Sequence, residues 1–142
     1  MFKGLPRVCV TVAGNSLAEL RKRALSEIAG QPAGERFLEL RLDFMGPAVL
    51  REPTGLVKLI RDLRHRRVAL IVTLRSVAAG GSFPGSAEEQ LQILTTVAGA
   101  GPSLVDLEVE SAEHLGAEAV RGLRKLAPVM VSFHDYQETP ST

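Results

Sequence analysis

With 142 residues, 45% of them apolar, the chain is long enough for one domain with a real core. Seventeen basic and sixteen acidic residues nearly cancel, to +1, and Lys and Arg are scattered, so neither nucleic acid nor a membrane surface is an expected partner. The single cysteine, Cys9, excludes an internal disulfide; with no signal-peptide pattern in residues 1–6 and no apolar run of membrane-spanning length, the expectation is a soluble protein of the reducing cytoplasm.

Residues 7–12 read as a buried strand, with Val8, Val10 and Val12 on one face and Cys9 and Thr11 on the other; Cys9 is expected as a buried small hydrophobe. Ser16 and Glu19 have capping-box spacing, opening a helix whose Leu17, Leu20, Ala24 and Ile28 share one stripe and which Gly30 would stop. After a loop at 31–34, residues 37–43 alternate strictly. Leu38, Leu40 and Leu42 share one face, and Glu39, Arg41 and Asp43 share the other, a row of ionised groups that is costly to bury unless it pairs internally or meets a ligand.

Gly46-Pro47 and residues 52–55 are expected to break regular structure. A helix over 55–66 then buries Leu56, Leu59, Ile60 and Leu63, and its basic tail, Arg64-His65-Arg66-Arg67, faces the negative end of the helix dipole, with His65 solvated. Residues 68–74 form a nearly continuous apolar strand, which implies cover on both faces. The small-residue loop at 80–85 is flexible by composition; Ser86 and Glu89 form a second capping box, ahead of a helix with Leu91, Leu94, Val97 and Ala98 inward. Residues 104–110 repeat the alternation, Val105, Leu107 and Val109 against Asp106, Glu108 and Glu110. A shorter helix near 117–126 buries Val120 and Leu123, and residues 129–134 make the fifth strand.

Strands and helices thus alternate about five times, which argues a parallel α/β architecture. One glycine between Val12 and Ser16 supplies neither a dinucleotide fingerprint nor a phosphate loop. In phase, Thr11, then Glu39, Arg41 and Asp43, then Thr73 and Arg75, then Asp106 and Glu108, then Ser132 and His134 all lie opposite the aliphatic row of their strand, toward its C-terminal end. In a barrel that face is the interior, and its C-terminal mouth is where chemistry is done. The mouth would hold an acid/base histidine, two arginines able to grip a carboxylate, and carboxylates able to hold hydroxyls or orient the histidine. Glu39, Asp106, Glu108 and His134 could ligate a metal in principle, but no second histidine stands at ligand spacing, so no metal is expected.

The runs Glu39-Leu40-Arg41-Leu42-Asp43, Thr73-Leu74-Arg75-Ser76 followed by Gly80-Gly81, Val105-Asp106-Leu107-Glu108, and Ser132-Phe133-His134-Asp135-Tyr136 with Thr139-Pro140 resemble type I 3-dehydroquinate dehydratase, over residues 7–140. The resemblance implies a (βα)₈ barrel of the TIM type, of which residues 1–142, as a single domain, would be the N-terminal portion with about five of the eight units. It implies a lyase of the shikimate pathway, supplying chorismate and the aromatic amino acids, that dehydrates 3-dehydroquinate to 3-dehydroshikimate through a lysine imine, with no metal or organic cofactor. Carried over, His134 is the general acid/base. Arg75 binds substrate, Glu39 and Arg41 hold its ring hydroxyls with Leu40 in the same binding segment, and Thr11 is a small hydroxyl position. Asp43, Asp106 and Glu108 support these groups.

Three positions depart from the pattern. The family's imine lysine follows the histidine strand, whereas Lys3 lies in the N-terminal tail and Lys22, Lys58 and Lys125 lie on predicted helices. Ala79 stands where the family often has a glutamate, and Phe133 stands at a variable position. The chain alone is therefore expected to be inactive, with its first and fifth strands as open edges. The alternative is a non-catalytic half-barrel that binds a ligand or partner and caps those edges in a homodimer. Another lysine-imine barrel, such as an aldolase, would share the architecture without the histidine motif.

Overall fold

The computed structural model describes residues 4–138. Lys3 and the Thr139-Pro140 end of the last motif lie outside them. Five strands pair parallel in simple chain order: β1 (Val10–Ala13), β2 (Phe37–Arg41), β3 (Ala69–Thr73), β4 (Leu104–Glu108) and β5 (Val129–Ser132). Parallel neighbours need a crossover, and the helices provide it: α1 (Leu17–Ala29), α2 (Pro47–Arg51), α3 (Thr54–His65), α4 (Ala87–Ala98) and α5 (Val109–Arg124). A doubly wound sheet would reverse its strand order partway; this one advances in one direction, as a barrel wall does.

Local chemistry explains the helix starts. Ser86 accepts from the Glu89 N–H while Glu89 accepts from the Ser86 N–H, a complete capping box. At α1 the Ser16 hydroxyl accepts from the Glu19 N–H at 3.2 Å, but the Glu19 carboxylate reaches one residue further back, to the Asn15 N–H at 3.0 Å. The aliphatic face of the sheet, with Leu38, Leu40, Leu70, Val72, Val105 and Leu107, packs in one cluster with Leu20 and Ala24 of α1, Leu56, Leu59, Ile60 and Leu63 of α3, and Leu94 and Val97 of α4. Burying such side chains contributes about 1.5–3 kcal/mol each relative to exposure, so this layer holds the wall together.

Several boundaries differ from the sequence reading. β1 begins only at Val10; Val8 is 70% exposed and Cys9 is also exposed, because the chain before Val10 has no strand to pair with. β2 ends at Arg41, and Leu42–Phe44 form a 3-10 turn that still buries Leu42 and Asp43. Between the breakers lies a short helix, α2, started by Pro47, whose missing N–H is harmless at a first helical position. Val109 and Glu110 belong to α5 rather than to β4, with Glu110 in the first turn, where the dipole favours it, and a kink at Gly116 (φ 82) divides the helix. On α4, Gln90 is buried and Leu91 only partly so. β5 stops at Ser132, which leaves His134 beyond the strand end. Among the described residues β1 and β5 are sheet edges, and beside the latter Val131 is 50% and Phe133 57% exposed.

Candidate functional site

Strand register stacks the polar face in tiers. Thr11 stands beside Glu39, then Arg41 beside Thr73 and Thr73 beside Asp106, then Glu108 beside Ser132. In the lowest tier both Glu39 oxygens are engaged: Thr11 Oγ1 and Thr73 Oγ1 each donate to one at 2.7 Å. Arg41 donates bidentately to Asp43, Nε to Oδ1 and Nη2 to Oδ2, both at 2.8 Å. This bond raises the Arg41 pKa further above its ordinary value, more than desolvation lowers it, and the guanidinium also lies 5.1 Å above the Phe44 ring. Asp43, with no exposed side-chain surface, additionally accepts from the Ser82 N–H at 3.1 Å. The end of β2 thereby ties down the loop after β3.

That loop is organised around Ser76. Glu108 accepts from its N–H and its hydroxyl, both at 2.7 Å, and the Ser76 hydroxyl oxygen accepts from the Ala79 N–H at 3.2 Å. The Phe83 N–H donates to Arg75 O at 3.0 Å, and the Val77 N–H donates to Phe83 O at 2.9 Å. Gly80 is left-handed (φ 77), and a Cβ on Gly81 would collide with the Arg75 carbonyl. The stretch that composition reads as flexible is thus hydrogen-bonded from Gly80 to Phe83. Gln90 adds a buried contact, Nε2 donating to Leu74 O at 2.7 Å. The Tyr136 ring rests on Gly80, its hydroxyl donates to Ala79 O at 3.4 Å, and its plane lies 21° from that of His134 with centroids 6.3 Å apart.

In the upper tiers, Arg75 Nη2 donates to Asp106 Oδ2 at 2.8 Å, with only 11% and 2% of the two side chains exposed. Four buried atoms on this face have no partner among the described residues: Arg75 Nε, Asp106 Oδ1, Ser132 Oγ and His134 Nδ1. They are a donor, an acceptor, a hydroxyl that can be either, and a ring nitrogen whose role follows its tautomer. Leaving each unsatisfied costs about 1–3 kcal/mol, so the arrangement suits a ligand rich in oxygen.

The structure therefore brings Thr11, Glu39, Arg41, Asp43, Arg75, Asp106, Glu108 and His134 to one face. Leu40 points the other way, fully buried in the aliphatic core, so its side chain does not reach the mouth. Thr73 and Ser132 share the face and are legible by phase; Ser76 and Tyr136 stand within the motif runs without a role assigned to them, and Gln90 carries no sequence signal. Lys22, Lys58 and Lys125 are exposed, on α1, on α3 and at the end of α5. Among the described residues no three His, Cys, Asp or Glu side chains converge as a metal set, and no helix is long and apolar enough to cross a membrane. A depression of about 640 Å³ between α2 and α4, lined by Met45, Leu50, Phe83 and Ile93 among others, touches the mouth only through Asp43 and Ser82.

A one-directional parallel sheet, helix-covered on its aliphatic face and charged on the other, defines five units of an α/β barrel wall. The chain belongs to the type I 3-dehydroquinase family, whose family model matches residues 8–142. It is 34% identical over 136 residues to a 3-dehydroquinate dehydratase of Dehalococcoides mccartyi, a match covering 96% of this chain and 52% of the relative. It is 30% identical over 112 residues to one of Methanosarcina acetivorans, covering 76% of this chain and 45% of that protein. The 3-dehydroquinate dehydratase structure from Geobacillus kaustophilus matches with a TM-score of 0.79 at 24% identity, over 95% of this chain and 52% of that one. The type I enzyme from Clostridium difficile, carrying covalently modified comenic acid, matches at 0.80 and 24%, over 99% and 55%. The fold is theirs, and the chain spans about half the length of the curated relatives it matches.

Proposed function

We propose that residues 1–142 are the N-terminal portion of a (βα)₈ 3-dehydroquinate dehydratase, working in the cytoplasm on 3-dehydroquinate and yielding 3-dehydroshikimate through a lysine imine. The observation that carries this reading is the set of four buried polar atoms, unpartnered among the described residues, that lie just past β3, on β4, and at and just past the end of β5. They complement a small acid bearing several hydroxyls. Arg75, held by Asp106 through one nitrogen, keeps the rest of its guanidinium for the substrate. Asp106 Oδ1 and Ser132 Oγ meet hydroxyls. Glu39 can still share lone pairs with a ring hydroxyl, since each carboxylate oxygen accepts two bonds. Arg41, fixed by Asp43, supplies positive charge at the mouth.

His134 takes the proton next to the imine carbon and assists imine formation and hydrolysis. An imine is an electron sink for the carbanion-like intermediate, and imidazole suits proton transfer near neutral pH. The reaction draws on no metal or organic cofactor. The imine lysine belongs to a sixth strand beyond these residues, so this chain grips substrate without turning it over. The test is to incubate the chain with 3-dehydroquinate and borohydride, then weigh it. No adduct and no 3-dehydroshikimate absorbance are expected; a covalent adduct on this chain would overturn its inactivity. Coding sequence past Thr142 should place a lysine at the end of a sixth strand within a few tens of residues, and a continuation without one would remove the dehydratase reading.

The exposed Val131 and Phe133 beside the β5 edge favour one second reading, a non-catalytic half-barrel capped by another copy of itself. Sedimentation separates the two: a stable, self-capped dimer supports the binding module, and a folded monomer that aggregates through its open edges as concentration rises supports an incomplete barrel.

A further inference from the structure

At the opposite end of the sheet from the mouth, by the N-terminal ends of β2, β3 and β4, lies a depression of about 480 Å³ lined by Arg36, Arg64, Arg67, Gly34, Ala69 and Ser103 among others. The run Arg64-His65-Arg66-Arg67 reads in sequence as charge at a helix end. Arg66 fits that reading, paired with Asp62 at 3.3 Å. The other arginines do not bond the carbonyls of the last turn of α3, three of which already have backbone partners. Asp62 O accepts from the Arg66 N–H at 3.1 Å, Leu63 O from the Val68 N–H at 3.1 Å, and Arg64 O from the Arg67 N–H at 3.0 Å.

Arg64 and Arg36 are instead pinned from one side. Arg64 Nη1 donates to Val68 O and to Ser103 Oγ, both at 3.0 Å; Arg36 Nη1 donates to Arg66 O at 3.4 Å and its Nε to Gln31 O at 3.5 Å. Each keeps guanidinium N–H groups to spare. Ser103 Oγ also accepts from the Leu70 N–H at 3.1 Å, which leaves its own proton to donate. Arg67 holds a left-handed backbone (φ 59), the one non-glycine residue described with positive φ. Among the described residues none of the three arginines has a carboxylate within ion-pair distance.

We propose that this basal cradle binds a small phosphate-bearing anion, a phosphomonoester or pyrophosphate. Guanidinium forks match phosphate oxygens bidentately, and two of the three are oriented before any ligand arrives. Three full positive charges outweigh the roughly half negative charge of the α3 C-terminus. A single carboxylate would leave most of that charge unbalanced, whereas an anion of charge −2 or more answers it. A local depression on a chain of net charge +1 does not suit an extended nucleic acid. The strands separate this site from the mouth by roughly 15 Å, at about 3.3 Å per residue, so the proposal stands apart from the catalytic reading.

The test is an amide NMR titration of the 142-residue chain with pyrophosphate at constant ionic strength, and with acetate as the control. Saturable shifts confined to residues 34–36, 67–70 and 103 are expected with pyrophosphate and not with acetate. Arg67→Gly removes a charge at a position whose backbone favours glycine, so it keeps the fold while weakening binding about tenfold, the scale of one charge-assisted contact. Adding Arg36→Gln should abolish saturation. Absence of saturable shifts in the parent chain, equal shifts with acetate, or undiminished binding in the double variant would each overturn the proposal.

Discussion

Glu108 stands among the carboxylates of the mouth, yet both its oxygens accept bonds from Ser76, so it clamps the loop after β3. It is 3% exposed and accepts two bonds of 2.7 Å from Ser76, one from the backbone N–H and one from the hydroxyl. In Glu108→Gln, the amide oxygen can take the Ser76 N–H while the amide nitrogen donates to the Ser76 hydroxyl. The first bond survives without its charge assistance; the second reverses direction, and the Ser76 O–H proton loses the acceptor it had. The difference between charged and neutral bonds, partly offset by no longer burying an anion, puts the loss at about 1–2 kcal/mol. Glu108→Ala has no such rescue. It orphans the Ser76 N–H, at about 1–3 kcal/mol, and opens a cavity, so the total should reach about 3–5 kcal/mol. Urea unfolding followed by circular dichroism measures both, and hydrogen exchange should accelerate at Ser76 and at Ala79 to Gly81 before other sheet amides. If Glu108→Ala lies within about 1 kcal/mol of the parent, or the Gln variant is as damaging as the Ala one, the clamp is not what holds this loop.

Gly81→Ala should destabilise by about 2 kcal/mol or more in the same assay, because its Cβ meets the Arg75 carbonyl rather than a movable side chain; a neutral result would mean the loop can shift freely. Ser86→Ala removes half of a complete capping box and should lower stability by about 1 kcal/mol, visible as a shift of the urea midpoint without a change in slope. Cys9, though exposed, should alkylate slowly: partial desolvation, then the Glu39 carboxylate, push its thiol from 9.0 up to about 11. At pH 8 that means about a hundredfold less thiolate than an ordinary cysteine, with an iodoacetamide rate profile centred near 11 that moves down in Glu39→Gln; a midpoint at 9 or below would contradict this. Since the folded-state value lies above the unfolded one, the thiol's contribution to stability is complete below about pH 9 and is lost as pH rises through 11.

Much of the architecture was legible because side-chain direction follows chain position. Alternation over 37–43 told that Leu38 and Leu40 face helices while Glu39 and Arg41 face away, and helical spacing told that Leu56, Leu59, Ile60 and Leu63 form one stripe. Alternation also misled where the chain changes state without changing pattern: Val109 and Glu110 continue the phase of β4 and yet start α5, and Leu42 and Asp43 keep the phase of β2 inside a turn. Helix α2 is not legible in the sequence, because Pro47 signals a break and a helix start alike.

What the sequence alone determined is which residues share a face, since that is set by the period of the backbone and travels with each segment wherever it packs. Only the tertiary structure decided who meets whom. Whether Glu39 bridges Thr11 and Thr73, whether Asp106 keeps one oxygen free beside Arg75, and whether three arginines from two segments surround one depression all depend on strand register between residues about thirty positions apart. The hydrophobic pattern fixes which face each strand buries, and only packing in the assembled wall fixes which residues then stand side by side.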